Sequence, residues 1–194
     1  LAAAPRADML RFTYPEAETA RIQIDLARRI GGTSTEQMVE KVDDYTIQGW
    51  MRCTPDGGGW GDGGGNGNYT VYFYCVFDRP LKNYGVWSAT IPEGTDRHNW
   101  SNDNPDYHNL IKNARIVANP QKVRGKHLGF FTEFPTRKGD KAMMKAGISF
   151  VSIDGARRNL ESDIKGWNFD AVRKQARRLW ADAMSRVSIR SPSR

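Results

Sequence analysis

The sequence predicts a mainly β protein: a two-sheet antiparallel β-sandwich followed by C-terminal helices. Three observations carry this. Short runs of alternating apolar and polar residues fill most of the chain up to Ile153. Clusters of Gly, Pro, Asn and Asp punctuate them at the spacing of a sandwich. After Ile153 the apolar spacing changes from two to that of a helix.

Leu10, Phe12 and Tyr14 alternate with polar neighbours and stop at Pro15, and Ile22, Ile24 and Leu26 alternate with Arg21, Gln23 and Asp25. Period-two alternation puts each apolar set on one sheet face. A third strand is predicted over Tyr45–Met51, after Asp43-Asp44. The fourth, Tyr69–Phe77, is aromatic and β-branched almost throughout. It has no polar set to form a wet face, so it is predicted to be covered on both sides. Later strands are predicted over Val86–Thr90, Ala114–Ala118, His127–Phe134 and Ala142–Ile153. In the last, Ala142, Met144, Ala146, Ile148 and Phe150 share a face, and Gly139-Asp140 makes the turn before it. Arg97 to Leu110 reads as an excursion from the sheet. A short helix is predicted over Ala156–Ile164, then a longer one capped by Asn168 or Asp170. On the longer helix Val172, Ala176, Leu179, Trp180, Ala183 and Val187 form one apolar stripe that needs a partner.

The chain has 194 residues and a net charge of +7, with 39% hydrophobic and 26% charged residues, which is globular arithmetic. There is no Gly period, no sustained heptad and no apolar run near the ~18 residues of a membrane span. Residues 171–194 hold seven basic residues and one acid, a net of +6, which leaves +1 for everything before them. The basicity therefore belongs to one helix and the tail after it. A basic helix with aromatics nearby is the signature of a nucleic-acid binder. Here the apolar stripe favours the simpler reading, in which the positive residues are the wet face of a packed helix.

The loudest segment is Pro55–Asn68, with eight of the nineteen glycines. It lacks the Lys-Ser/Thr pair of a phosphate loop and the tandem aspartates of a calcium-binding repeat. It reads as a long hairpin loop between the third and fourth strands. Its functional alternative is an aromatic lid in which Trp60 stacks on a sugar, and Trp100 is a second candidate platform. Cys53 and Cys75 fall on the two strands that this loop joins. A disulfide would suit an exported protein, but a pairing sum puts Cys53 nearer Thr70, which favours two buried thiols. His98 and His108 lie among Asp96, Asp103 and Asp106, a pattern of turn chemistry and, alternatively, of a metal site. His127 opens a strand. No Ser-nucleophile elbow is present. Glu133 and Asp154 are carboxylate candidates by position alone.

The stretch from Lys126 to Trp180 is more specific. Lys145-Ala146-Gly147-Ile148-Ser149-Phe150-Val151-Ser152, Ala156 with Asn159-Leu160, and Gly166-Trp167 before Phe169 resemble the N-terminal domain of glycoside hydrolase family 92, the calcium-dependent exo-α-mannosidases. Leu10-Arg11-Phe12-Thr13-Tyr14-Pro15, Tyr72-Phe73 and Arg79-Pro80 fit the same pattern in the same order. The resemblance implies a sandwich of the galactose-mutarotase-like (supersandwich) type over residues 1–153. Residues 154–194 would be a helical linker toward an (α/α)6 catalytic barrel. It implies removal of terminal α-linked mannose with inversion, using an acid and a base about 6.5–9.5 Å apart. Those carboxylates and the calcium ligands are expected in the barrel, so the resemblance assigns no catalytic or metal residue here. The expected partners are a mannose-containing glycan and the chain's own catalytic domain, with neither nucleic acid nor a membrane span. The expected location is periplasmic or secreted, with an export signal upstream of Leu1. A stand-alone carbohydrate-binding module is the competing expectation.

Overall fold

The computed structural model describes residues 1–29, 32–54, 67–89 and 114–189. Thirteen strands and two helices occur among them, in the order β1 (Ala2–Ala3), β2 (Ala7–Thr13), β3 (Ala17–Asp25), β4 (Arg28–Arg29), β5 (Gly32–Thr33), β6 (Glu36–Asp43), β7 (Thr46–Cys53), β8 (Tyr69–Phe77), β9 (Asn83–Ser88), β10 (Arg115–Ala118), β11 (Lys122–Gly125), β12 (Leu128–Thr136), β13 (Lys141–Ser149), α1 (Ile153–Asp163) and α2 (Phe169–Met184). A seven-stranded sheet runs β1-β2-β13-β8-β7-β6-β11, and a four-stranded sheet runs β10-β9-β12-β3. Every pairing is antiparallel, including a two-residue ladder between β4 and β5.

The molecule has three layers: small sheet, large sheet, helices. Between the sheets lie Ile22, Leu26, Val39, Ile47, Phe73, Phe77, Leu128, Phe130, Ala142 and Met144. The Phe130 ring stacks on Tyr84 at 5.9 Å and tilts against Phe77 at 6.1 Å. On the other face of the large sheet, Ala2, Ala7 and Met9 meet Leu160, Ile164 and Phe169 from the helices, with Tyr74 and Val76 alongside. β8 therefore buries Phe73, Cys75 and Phe77 on one side and packs Tyr74 and Val76 on the other. This is why its sequence lacks alternation.

Gln37, fully buried on β6, joins the two sheets. Its Oε1 accepts the Leu128 amide at 2.9 Å and its Nε2 donates to the Ser34 hydroxyl and carbonyl. Satisfied on both atoms, it fixes the sheets relative to each other without the cost of an orphaned amide. The chain passes between sheets at Asn119 (φ 50°) and again at His127 (φ 56°), both in the left-handed region. His127 is buried there and its carbonyl accepts the Ala89 amide. On the outer face of the small sheet, Trp87 lies flat on Gly129 of the facing strand, and Phe131 covers Gly85, where a Cβ would sit 2.6 Å from its ring. Each aromatic fills the space that the facing glycine leaves.

Two differences from the sequence reading have plain causes. The run Ala142–Ile153 is not one strand: β13 ends at Ser149, and Ile153 already opens α1. The Ser149 hydroxyl accepts the Val151 amide and Ser152 caps the helix, so two serines break the ladder although the alternation continues to Phe150. The turn at Gly139-Asp140 carries the chain from the small sheet to the large one and is not a hairpin. Asn168, not Asp170, caps α2: its Oδ1 accepts the Ala171 amide at 3.0 Å.

Candidate functional site

The two ends of the sandwich differ. At one end the connections are short: Tyr14–Glu16, Asp44-Tyr45, Asp78–Lys82 and Arg137–Asp140. The ladder registers place the long connections at the other end. Cys53 pairs with Tyr69 across the segment that carries Trp60. Ser88 pairs with both Arg115 and Leu128, beside the segment that carries Trp100. The Leu128 amide is held by Gln37, which itself pairs with Met51, so both segments leave from the same edge of the molecule. The connection from β13 to α1 lies there too, because Ser149 pairs with Tyr72 near the start of β8. A rigid frame with its long connections at one end is the usual arrangement for a binding site.

Among the described residues this end presents an apolar shelf. Phe150 is 65% exposed and Val151 82%, and Phe150 meets Tyr69 edge-on at 6.1 Å. Asp8 faces Ala146 across the ladder, and desolvation raises its carboxyl above the usual range. Trp60, Trp100, His98 and His108, with the aspartates around them, lie outside the described residues.

The other sequence candidates do not converge. Glu133 sits on the outer face of the small sheet, paired with Arg21 and accepting a hydrogen bond from Asn83 Nδ2 at 2.9 Å. Asp154 is in the first turn of α1, on the far side of the large sheet, and pairs with Arg158. Two sheets separate these carboxylates, so they form no acid–base pair. The Cys53–Cys75 disulfide is not formed either. Cys53 faces Tyr69 and Cys75 faces Ile47, rungs far apart on the same ladder, and both thiols are free and buried. Burial pushes the Cys75 thiol up to about 12. No three His, Cys, Asp or Glu side chains come together among the described residues.

Two further places were invisible in the sequence. A depression of about 360 Å³ lies at the short-turn end, lined by Glu18, Arg79, Lys82, Glu133 and Phe134. Its main polar groups are engaged: Arg79 bonds Asp78 and the Lys141 carbonyl and lies over Phe134. On the outer face of the large sheet, Arg52 and Arg124 flank the Trp50 ring and share Glu36, whose carboxyl is held low mainly by the Arg124 hydrogen bond.

Comparison with known proteins agrees with this architecture. Residues 1–149 match the model of the glycosyl hydrolase family 92 N-terminal domain, and residues 155–194 match that of the family's catalytic domain. Among solved structures, an α-mannosidase of this family from Bacteroides thetaiotaomicron is 26% identical, with a TM-score of 0.70 over 96% of this chain. It has also been solved in complex with mannoimidazole. An inverting family 92 mannosidase from the same organism, 16% identical, shares the fold with a TM-score of 0.65 over 97% of this chain. The chain spans about a fifth of each of those proteins, 22% and 21% respectively. No curated protein matches it. With both family models falling in order on one sandwich-and-helix architecture, the chain belongs to glycoside hydrolase family 92, and residues 1–149 fall in the N-terminal domain of that family.

Proposed function

We propose that this chain is the sandwich region of an inverting exo-α-mannosidase that trims terminal α-linked mannose from glycans. The observation that carries this reading is the family match running from residues 1–149 on into the catalytic-domain match at 155–194. In this reading the long-connection end walls one side of the sugar pocket. An exposed aromatic at that end, such as Phe150, would offer a flat apolar face to a pyranose ring. The helices carry the downstream catalytic domain.

The chemistry belongs to that domain. Inversion needs two carboxyl groups spaced to admit a water, and Glu133 and Asp154 lie on opposite faces of the molecule. Calcium, in the same reading, is also held downstream. Periplasmic or secreted location fits two thiols that are buried and, at Cys75, poorly ionised. Such thiols resist oxidation without being paired.

The test compares this chain with the full reading frame on an aryl α-mannoside and on α-mannobiose, with calcium present. The chain alone should release no mannose. The full protein should release it with β-mannose as the first anomer seen by NMR, and lose activity on chelation. Turnover by the 194-residue chain, or an inert full-length protein, would overturn the reading.

A further inference from the structure

The catalytic-domain match begins at residue 155, inside α1. The packing puts the physical boundary elsewhere. α1 lies directly on β13, with Gly147 as the point of closest approach. A Cβ there would sit 2.7 Å from Leu160 Cβ and would run into the Ala156 carbonyl. Ala156, Leu160 and Ile164, spaced by four, are buried against the sheet.

Polar contacts lock the same joint. Asn159 Nδ2 donates to the Ile148 carbonyl at 2.7 Å. Asp163, only 6% exposed, accepts the Arg6 backbone amide at 2.8 Å and its guanidinium at 2.6 Å. That pair ties the end of α1 to the chain just before β2. A buried carboxylate held by both a backbone amide and an arginine is a directional contact. The start of α2 is held as well. Phe169 is buried under the Arg11 guanidinium at 4.1 Å, and Lys145 lies over Trp167 at 4.8 Å. After Ala176 the described helix has no buried or half-buried residue.

We propose that the sandwich, α1 and the first turns of α2 form one rigid mount, with the boundary to the downstream domain falling within α2 after Ala176. Arg6, Asn159 and Asp163 are its positioning residues. They set the angle at which α2 leaves the sheet and so the orientation of the catalytic domain against the pocket wall. The last clause rests on the function proposed above; the mount itself does not.

Hydrogen exchange on the 194-residue chain tests the mount. The amides of Ala156–Ile164 should be protected to the same degree as those of β13, and those of Leu179–Met184 about a hundredfold less. Exchange of α1 at the rate of distal α2 would overturn the proposal. Arg6→Ala and Asn159→Ala should each lower α1 protection about tenfold and leave β6 and β7 unchanged, while Arg6→Lys should restore most of it. Should either alanine variant unfold globally, the pattern of the unsubstituted chain decides.

In the full reading frame, Asn159→Ala and Arg6→Ala should raise KM for α-mannobiose about tenfold with kcat within twofold, because the wall moves and the reacting carboxylates do not. An unchanged KM in variants with loosened α1 would overturn the positioning role. An inert full-length protein would sink the mannosidase reading and leave the exchange result standing as the test of the mount.

Discussion

Gly147 shows how far one hydrogen atom can decide packing. The helix backbone rests on it, and the atoms a Cβ would meet are the Ala156 carbonyl and the Leu160 Cβ, neither of which can swing aside. Gly147→Ala should therefore destabilise the chain by at least about 2 kcal/mol in urea unfolding, at the upper part of the usual overpacking range. Cys75 makes a different residue-scale point. Its thiol is held neutral by burial up to about 12, while an unfolded thiol ionises near ~8.5. Above that unfolded value the unfolded chain binds fewer protons than the folded one, so stability falls as pH rises. The fall should approach about 1.4 kcal/mol per pH unit between roughly pH 9 and pH 12, and Cys75→Ala should flatten it. Denaturant titrations of both proteins across that range would check this.

At the scale of elements, the two helices behave differently. α1 is short but fully docked. α2 has the stronger sequence signal, an apolar stripe with a basic wet face, yet the sandwich covers only its start. Trp180 is 69% exposed, and Leu179, Met184 and Val187 are exposed with it. An uncovered apolar stripe on an isolated chain promotes association. Leu179→Lys with Trp180→Lys should abolish self-association in sedimentation velocity and shift unfolding free energy by no more than about 0.5 kcal/mol. α1 and most strands were legible because periodicity reports burial directly, and α2 was legible from a stripe that the sandwich leaves mostly exposed. β6 and β11 were not. In β6, Met38 and Val39 are both buried, one on each face of the sheet, so alternation disappears. β11 is four residues long, three of them Lys, Arg and Gly, and pairs only at an edge. The joint between β13 and α1 escaped for the opposite reason: alternation persisted through Phe150 although Ser149 and Ser152 had already turned the chain. The candidate site was legible only as loop composition, because which loops share an end is set by ladder register and not by local sequence.

At the scale of the whole molecule, the excess charge sits on and after α2, which the sandwich leaves largely exposed, and the sandwich body is nearly neutral. Its surface pairs are local, such as Arg21 with Glu133, Lys122 with Glu40 and Arg124 with Glu36. Exposed pairs of this kind set register more than they add stability. In the function proposed above, this body would serve as scaffold and wall for an uncharged sugar, and the asymmetry of its ends, short turns at one and long connections at the other, would give that wall a direction.

The order of strands in the large sheet also has a consequence for biosynthesis. β2 pairs only with β1 and β13, and Met9 finds its partner in Lys145, some 136 residues later. At about 5–20 residues per second, the nascent chain carries β2 out of the ribosome roughly 7 to 27 s before β13 follows. Until then β8, which has no charge, proline or glycine from Tyr69 to Phe77, is an open edge on the growing sheet. Arrival of β13 closes that edge and gives β2 its place in a single event, with α1 emerging next to seal the outer face. A polypeptide released before Lys141 would keep a nine-residue sticky edge, and its fate would be a chaperone or an aggregate.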